Sequence, residues 1–253
     1  MAFLLKKENQ TVRFTITRPD IRNAINHEVM QGLEQLIDLV HNDSNIKFVV
    51  ITGEGNQAFC SGGDLSVFHG LKTAKEAFPM LNQMAQILYQ VATLPVPVIA
   101  LVNGAAVGGG CEIATACDYR LVSSEAKCGF IQGSLAITSG WGGGTYLLEK
   151  MPQMDQALRM LGDSKPYPAV RLKEIGWATE VYQGDSETAL QTFLEEMYRI
   201  DASVHRAYKE MVNRKWIALN LLKRIQEEVI HCSQLWEADA HHIQVQKFLN
   251  RGK

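Results

Sequence analysis

Two continuous apolar runs, Phe48-Val49-Val50-Ile51 and Val98-Ile99-Ala100-Leu101-Val102, constrain the fold of this chain more than any other feature. A strand that is apolar at every position must be covered on both faces, as an inner strand of a parallel sheet is. The flanking segments can supply that cover. Asn26 is placed to cap a helix with the apolar stripe Val29, Leu33, Leu36, Ile37 and Val40. Phe78, Leu81, Met84, Ala85, Leu88, Val91 and Ala92 make a longer stripe, which Pro95 and Pro97 end. Residues 3–7, 12–17 and 119–122 read as further strands. Strands alternating with helices predict an α/β core. From residue 186 the pattern is almost wholly helical, with candidate helices over 186–200, 203–215 and 219–248. The expected organisation is a core over residues 1–200 and a helical region over 201–253, packed on the core or on another subunit.

Composition narrows the function. A chain of 253 residues, 46% of them hydrophobic, can bury a large core. Its net charge of −2 gives no basic field to attract nucleic acid or an anionic membrane. Five cysteines with no C-x-x-C pair point to reduced thiols in the cytoplasm. So does the N-terminal Met1-Ala2-Phe3-Leu4-Leu5-Lys6-Lys7, which is too short for a signal peptide and has no small-residue cleavage site. The apolar stretch 98–117 breaks at Asn103-Gly104 and would place Glu112 in lipid, so strand, turn and buried helix suit it better than a membrane span. The histidines have no metal-ligand spacing, and no metal is expected.

Each apolar run leads into a glycine-bearing loop: Ala58-Phe59-Cys60-Ser61-Gly62-Gly63-Asp64, and Asn103-Gly104-Ala105-Ala106-Val107-Gly108-Gly109-Gly110-Cys111-Glu112. Glycine lets main chain approach a ligand closely. A helix starting in the triplet leaves free N–H groups and a positive dipole end at the mouth of the sheet. Two such N–H groups aimed at one oxygen form an oxyanion hole, where loss of one donor costs roughly 2.7–4 kcal/mol of transition-state stabilisation.

These loops resemble those of the crotonase (enoyl-CoA hydratase/isomerase) superfamily. The likeness extends to Arg18-Pro19, Asn23-Ala24, Cys117-Asp118-Tyr119-Arg120, Gly140-Trp141-Gly142-Gly143 and Phe248-Leu249-Asn250-Arg251. The resemblance implies an α/β spiral of ββα units with a C-terminal helical trimerisation region, assembled as a trimer or a dimer of trimers. It implies an enzyme acting on an acyl-CoA thioester, with coenzyme A as part of the substrate and no permanently bound cofactor. It places the oxyanion donors at the amides of Gly63 and Gly109. Main chain at Ile21, Arg22, Asn23 and Ala24 would bracket the adenine end of coenzyme A, with the Arg22 guanidinium suited to a phosphate. Phe248 and Arg251 fall where the family has a packing aromatic and a phosphate-binding cation, which in relatives reach in from a neighbouring subunit.

One departure bears on the reaction. Hydratases of this family use two glutamates. The first corresponds to Glu112, but the second falls on Gln132, nine residues before Trp141. An amide cannot exchange a proton at neutral pH. The turn at Trp141 and the segment from Cys117 are similar to alkylmalonyl-CoA decarboxylase branches, in which loss of carbon dioxide leaves the same enolate. Gln132 would there orient the departing carboxylate, and Glu112 would protonate the α-carbon. A non-catalytic acyl-CoA-binding or RNA-binding relative is the other reading of the missing acid. Simpler roles compete at several positions: Glu112 as a helix-capping residue, Asp64 as an N-cap, and His69 as a residue within reach of substrate.

Overall fold

The computed structural model describes residues 1–250. Strands β1 (Phe3–Glu8) and β2 (Thr11–Ile16) precede helix α1 (His27–Asn42). Three turns of a spiral follow, each a strand pair and then helix: β3 (Phe48–Gly53) and β4 (Ala58–Cys60) before α2 (Leu65–Phe68) and α3 (Ala74–Ala92); β5 (Val98–Val102) and β6 (Ala105–Val107) before α4 (Gly109–Ala116); β7 (Tyr119–Ser123) and β8 (Lys127–Gly129) before α5 (Gly143–Lys150). Then come α6 (Met154–Gly162), β9 (Tyr167–Pro168), α7 (Ala169–Glu174), β10 (Glu180–Tyr182) and the helices α8 (Ser186–Tyr198), α9 (Ala202–Ala218), α10 (Leu221–Trp236) and α11 (Asp239–Asn250).

Each strand pair contributes one strand to each of two sheets. The larger has the order β1-β2-β3-β5-β7-β10 and the smaller β4-β6-β8-β9. Both are parallel except at the β1–β2 and β8–β9 pairs. The two apolar runs are β3 and β5, at the centre of the large sheet and buried at every position. Their alternate side chains serve two cores, as the two-residue period of a strand requires. Val49, Ile51, Val98 and Ala100 join the main core with α1, α3 and α4. Phe48, Val50, Ile99 and Leu101 face the opposite way, against Leu190 and Leu194 of α8.

The helix expected over 219–248 is two helices, α10 and α11, parted at Glu237 and Ala238. No glycine or proline marks the break, and tertiary hydrogen bonds fix it. Trp236 Nε1 donates to Leu71 O at 2.7 Å, the Glu237 carboxylate accepts from Ala74 N at 2.6 Å, and a His241 ring nitrogen meets Leu135 O at 2.7 Å. The chain thereby turns α11 back toward the short 3-10 turn Gln132–Leu135 of its own core. Helix α10 packs along α3 and against α5, so this part of the helical region belongs to the fold that carries the site.

Candidate active site

The two glycine loops converge. Gly62 has a left-handed φ of 98° and brings the first loop against the second, so closely that a Cβ on it would lie 3.1 Å from Gly109 N. Behind this contact Gly110 abuts β4, where a Cβ would sit 2.0 Å from Cys60 O. Ile25 fastens the first loop: its N–H donates to Gly62 O at 2.8 Å, and its carbonyl accepts from Asp64 N at 2.9 Å. The Gly63 amide between them has no acceptor among the described residues. Gly109 opens α4 and its amide likewise has none.

Both glycines line one cavity of about 170 Å³ with Glu112, Gln132 and Trp141. At ~30 Å³ for each water in the liquid, that is room for a small group. The Trp141 ring lies across the two loops, with its atoms 3.6 Å from a Cβ built on Gly63 and 2.1 Å from one built on Gly109. The remaining wall is mostly apolar, with Ser61, His69, Ser134, Thr138, His241 and His242 as its polar side chains, and among the described residues no lysine or arginine lines it.

Glu112 is 2% exposed and projects from the first turn of α4. It does not cap its own helix. Its Oε2 accepts from the main-chain N–H of Trp141 at 2.8 Å and Gly143 at 2.9 Å; its Oε1 accepts from Gln132 Nε2 at 2.8 Å and Gly140 N at 3.4 Å. Burial pushes its pKa up to about 8, the Glu228 charge adds to the rise, and the main-chain donors oppose it. Gln132 is also buried, and its Oε1 is without a partner among the described residues.

Glu228 was not anticipated as a site residue. It reaches from α10 to the other end of the turn that holds Glu112, accepting from Ser139 Oγ at 2.6 Å, Gly144 N at 3.0 Å, and Thr145 N and Oγ1 at 2.8 and 2.6 Å. Two carboxylates from distant helices thus share the N–H groups of residues 140–145. Its sequence signal is weak: Glu228 falls on the stripe of Leu221, Ile225, Val229 and Cys232, an acid where the helical period calls for an apolar residue.

The other anticipated residues divide. Ile21 and Arg22 are exposed, whereas Asn23 and Ala24 are buried. The Asn23 side chain is occupied in the fold, donating to Glu54 O at 3.0 Å and Ala58 O at 2.7 Å. Asp64 caps α2 through Ser66 N at 3.0 Å and pairs with Arg18 Nη2 at 2.8 Å. His69 lies on the cavity, one ring nitrogen 2.7 Å from Leu65 O. Phe248 lines the cavity of its own chain, where the break before α11 brings that helix back toward the core. Arg251 lies outside the described residues. Among the described residues no three or more His, Cys, Asp or Glu gather as a metal site, and no helix is long and apolar enough to cross a membrane.

The family profile described as Enoyl-CoA hydratase/isomerase matches residues 6–253. The chain is 34% identical over 181 residues to the short-chain-enoyl-CoA hydratase of Clostridium acetobutylicum, covering 71% of this chain and 68% of that protein. It is 35% identical over 214 residues to the ethylmalonyl-CoA decarboxylase of Rattus norvegicus, covering 83% of this chain and 71% of that one. The solved structure of an enoyl-CoA hydratase from Mycobacterium avium subsp. paratuberculosis K-10 superposes with a TM-score of 0.87 over 99% of this chain and 96% of that one, at 23% identity.

Proposed function

The chain belongs to the enoyl-CoA hydratase/isomerase family, and from that premise we propose that it holds an acyl-CoA thioester with the carbonyl oxygen between the amides of Gly63 and Gly109. The observation that carries this reading is that two unanswered N–H groups from separate loops share one cavity with a buried carboxyl. Main-chain donors in a water-poor cavity stabilise a developing enolate oxygen without having to reorganise. Arg22, exposed beside the first loop, meets a phosphate of coenzyme A, and Phe248 packs at the rim.

Hydration, isomerisation and decarboxylation all pass through such an enolate. Glu112 and Gln132 together favour decarboxylation of an alkylmalonyl-type thioester. Hydration needs a group to take a proton from water and another to deliver one to the α-carbon, and here the second carboxyl is an amide. Decarboxylation needs only a proton donor, and a carboxyl with its pKa near 8 is protonated at neutral pH. The apolar cavity suits a short acyl group. Incubating the protein with crotonyl-CoA, methylmalonyl-CoA and ethylmalonyl-CoA, with mass spectrometry of the products, tests this. Carbon dioxide loss from the malonyl-type thioesters is expected, and robust hydration of crotonyl-CoA overturns it.

The working form is a homo-oligomer, a trimer or a dimer of trimers, supported by the exposed apolar residues Val204, Tyr208, Met211 and Val212 on α9. Five unpaired, buried cysteines fit a cytoplasmic enzyme.

A further inference from the structure

The cavity has a direction, and α11 marks it. His241, Val245 and Phe248 all line the cavity, and their spacing of four and three residues sets them along one face of the helix. Phe248 is 48% exposed, Val245 is half-buried and His241 is 3% exposed. At a rise of 1.5 Å per residue the two ends of this row are about 10 Å apart. The cavity therefore opens at Phe248 and closes toward His241.

The closed end is built at the break between α10 and α11. Trp236, the last residue of α10, lines the cavity with Leu71 from the connection between α2 and α3. Its indole lies against the His241 ring, with centroids 4.8 Å apart, and its Nε1 donates to Leu71 O at 2.7 Å. His241 is itself anchored. A carbonyl can only accept, so the ring nitrogen 2.7 Å from Leu135 O carries a hydrogen and donates it. Burial lowers the pKa of His241, which keeps the ring neutral at neutral pH. The surface of the protein begins one residue beyond the indole. Glu237, with Ala74, Gln234 and Ala238, lines an open groove, and its carboxylate accepts from Ala74 N at 2.6 Å. The junction thus has the cavity on one side and solvent on the other, and it is tied to residues 71–74 and to Leu135.

We propose that Trp236 is the end wall of the acyl cavity and restricts the protein to thioesters of short acyl groups. The inference rests on the acyl-CoA reading and names the residue that sets the substrate class. With the thioester carbonyl at Gly63 and Gly109 and coenzyme A leaving past Ser61 and Arg22, the inner end is what remains for the acyl chain, and its tip meets the indole. A longer chain has to displace that ring from both Leu71 and His241. Size sets the limit. An apolar cavity of ~150 Å³ holds one benzene ring. A cavity of about 170 Å³ therefore takes an acyl group of a few carbons, such as ethylmalonyl, and excludes an eight-carbon chain.

Calorimetry on the intact protein with two unreactive thioethers, S-propyl-CoA and S-octyl-CoA, tests the wall. Each buried methylene strengthens binding about fourfold, so an unobstructed cavity would favour octyl over propyl by roughly 10³-fold. Wild type should bind octyl no more tightly than propyl. Trp236→Ala, which breaches the wall, should favour octyl by about tenfold or more. Trp236→Phe keeps a ring and loses the N–H, and should keep the wild-type order. Wild type that favours octyl by more than about tenfold overturns the wall, and that comparison needs no variant to fold. Trp236→Ala that keeps the wild-type order also overturns it. So does Trp236→Phe that behaves like the alanine variant, since the tie to Leu71 rather than the ring would then set the limit. Failure of both thioethers to bind wild type overturns the acyl-CoA reading beneath.

Discussion

The two ends of α4 are built in opposite ways. At its C-terminal end Lys150 Nζ donates to the carbonyls of Thr115, Ala116 and Cys117 at 2.9, 2.7 and 2.8 Å, and Arg120 Nη1 adds a second donor to Cys117 O at 2.8 Å. These cations, Arg120 buried and Lys150 half-buried, oppose the negative end of the helix dipole. At the N-terminal end the Gly109 amide is unanswered among the described residues, as is that of Gly63 beside it. One end supplies the stability that lets the other keep its hydrogen-bonding capacity for a ligand. An eight-residue helix wholly within the protein is thereby fixed by the end that does no chemistry.

The largest expected effect comes from removing a donor at the open end. Proline is tolerated at the first position of a helix and has no N–H, so Gly109→Pro deletes the donor with little cost to α4. Any Cβ at position 109 meets Trp141, so the comparison belongs in a Trp141→Ala background, with Gly109→Ala as the partner that keeps the N–H. Turnover of the proline variant should fall roughly 10²–10³-fold below that of the alanine variant. Equal turnover in the two would remove Gly109 from the oxyanion hole and break the contrast between the ends.

How much of this the sequence discloses follows from the range over which each feature is determined. The inner strands β3 and β5, the glycine loops after them and the Asn26 and Asp64 caps are written in consecutive residues, where apolar runs and capping side chains act locally. Gly63, Gly109, Glu112 and Gln132 were picked out by the resemblance of those loops and of the turn at Trp141 to the crotonase superfamily, and the fold gathers them on one cavity. Features made by distant segments were not legible. Glu228 sits on an ordinary helical stripe until α10 packs on α5. The break at Glu237 depends on Leu71, Ala74 and Leu135 from elsewhere. Asn23, expected to offer main chain to coenzyme A, has a side chain that ties residues 54 and 58 together, a role with no local sequence signal.

The closed end gives the next effect. Lys150→Met removes the donor to three carbonyls but also the burden of a half-buried charge, so a net loss of about 2 kcal/mol is expected. For a chain of this size that is a fall in Tm of about 4–8 °C. Burial pulls the Lys150 pKa down from 10.5 to about 7. Between those values the unfolded chain binds a proton that the folded chain does not, so this lysine adds stability as pH rises from about 7 toward 10.5. Urea unfolding of both proteins at pH 7 and pH 10 isolates the effect. The gap between wild type and variant should widen at pH 10, and a constant gap would mean that the Lys150 charge costs the fold nothing.

The smallest effect is on tuning at the open end. Glu228 raises the Glu112 pKa without touching the cavity, since its oxygens are taken up by Ser139, Gly144 and Thr145. As a proton donor Glu112 works while protonated, so turnover should fall as pH rises through about 8. Glu228→Gln removes a nearby negative charge, makes an ionised Glu112 less costly and lowers its pKa. The fall in turnover should then begin at a lower pH, displaced by roughly one pH unit or less. If Glu228 only braced the turn, the variant would lose activity by a similar factor at every pH and the midpoint would stay in place. A displaced midpoint would mean that α10, from the helical region expected to serve assembly, sets the proton affinity of the group that α4 presents.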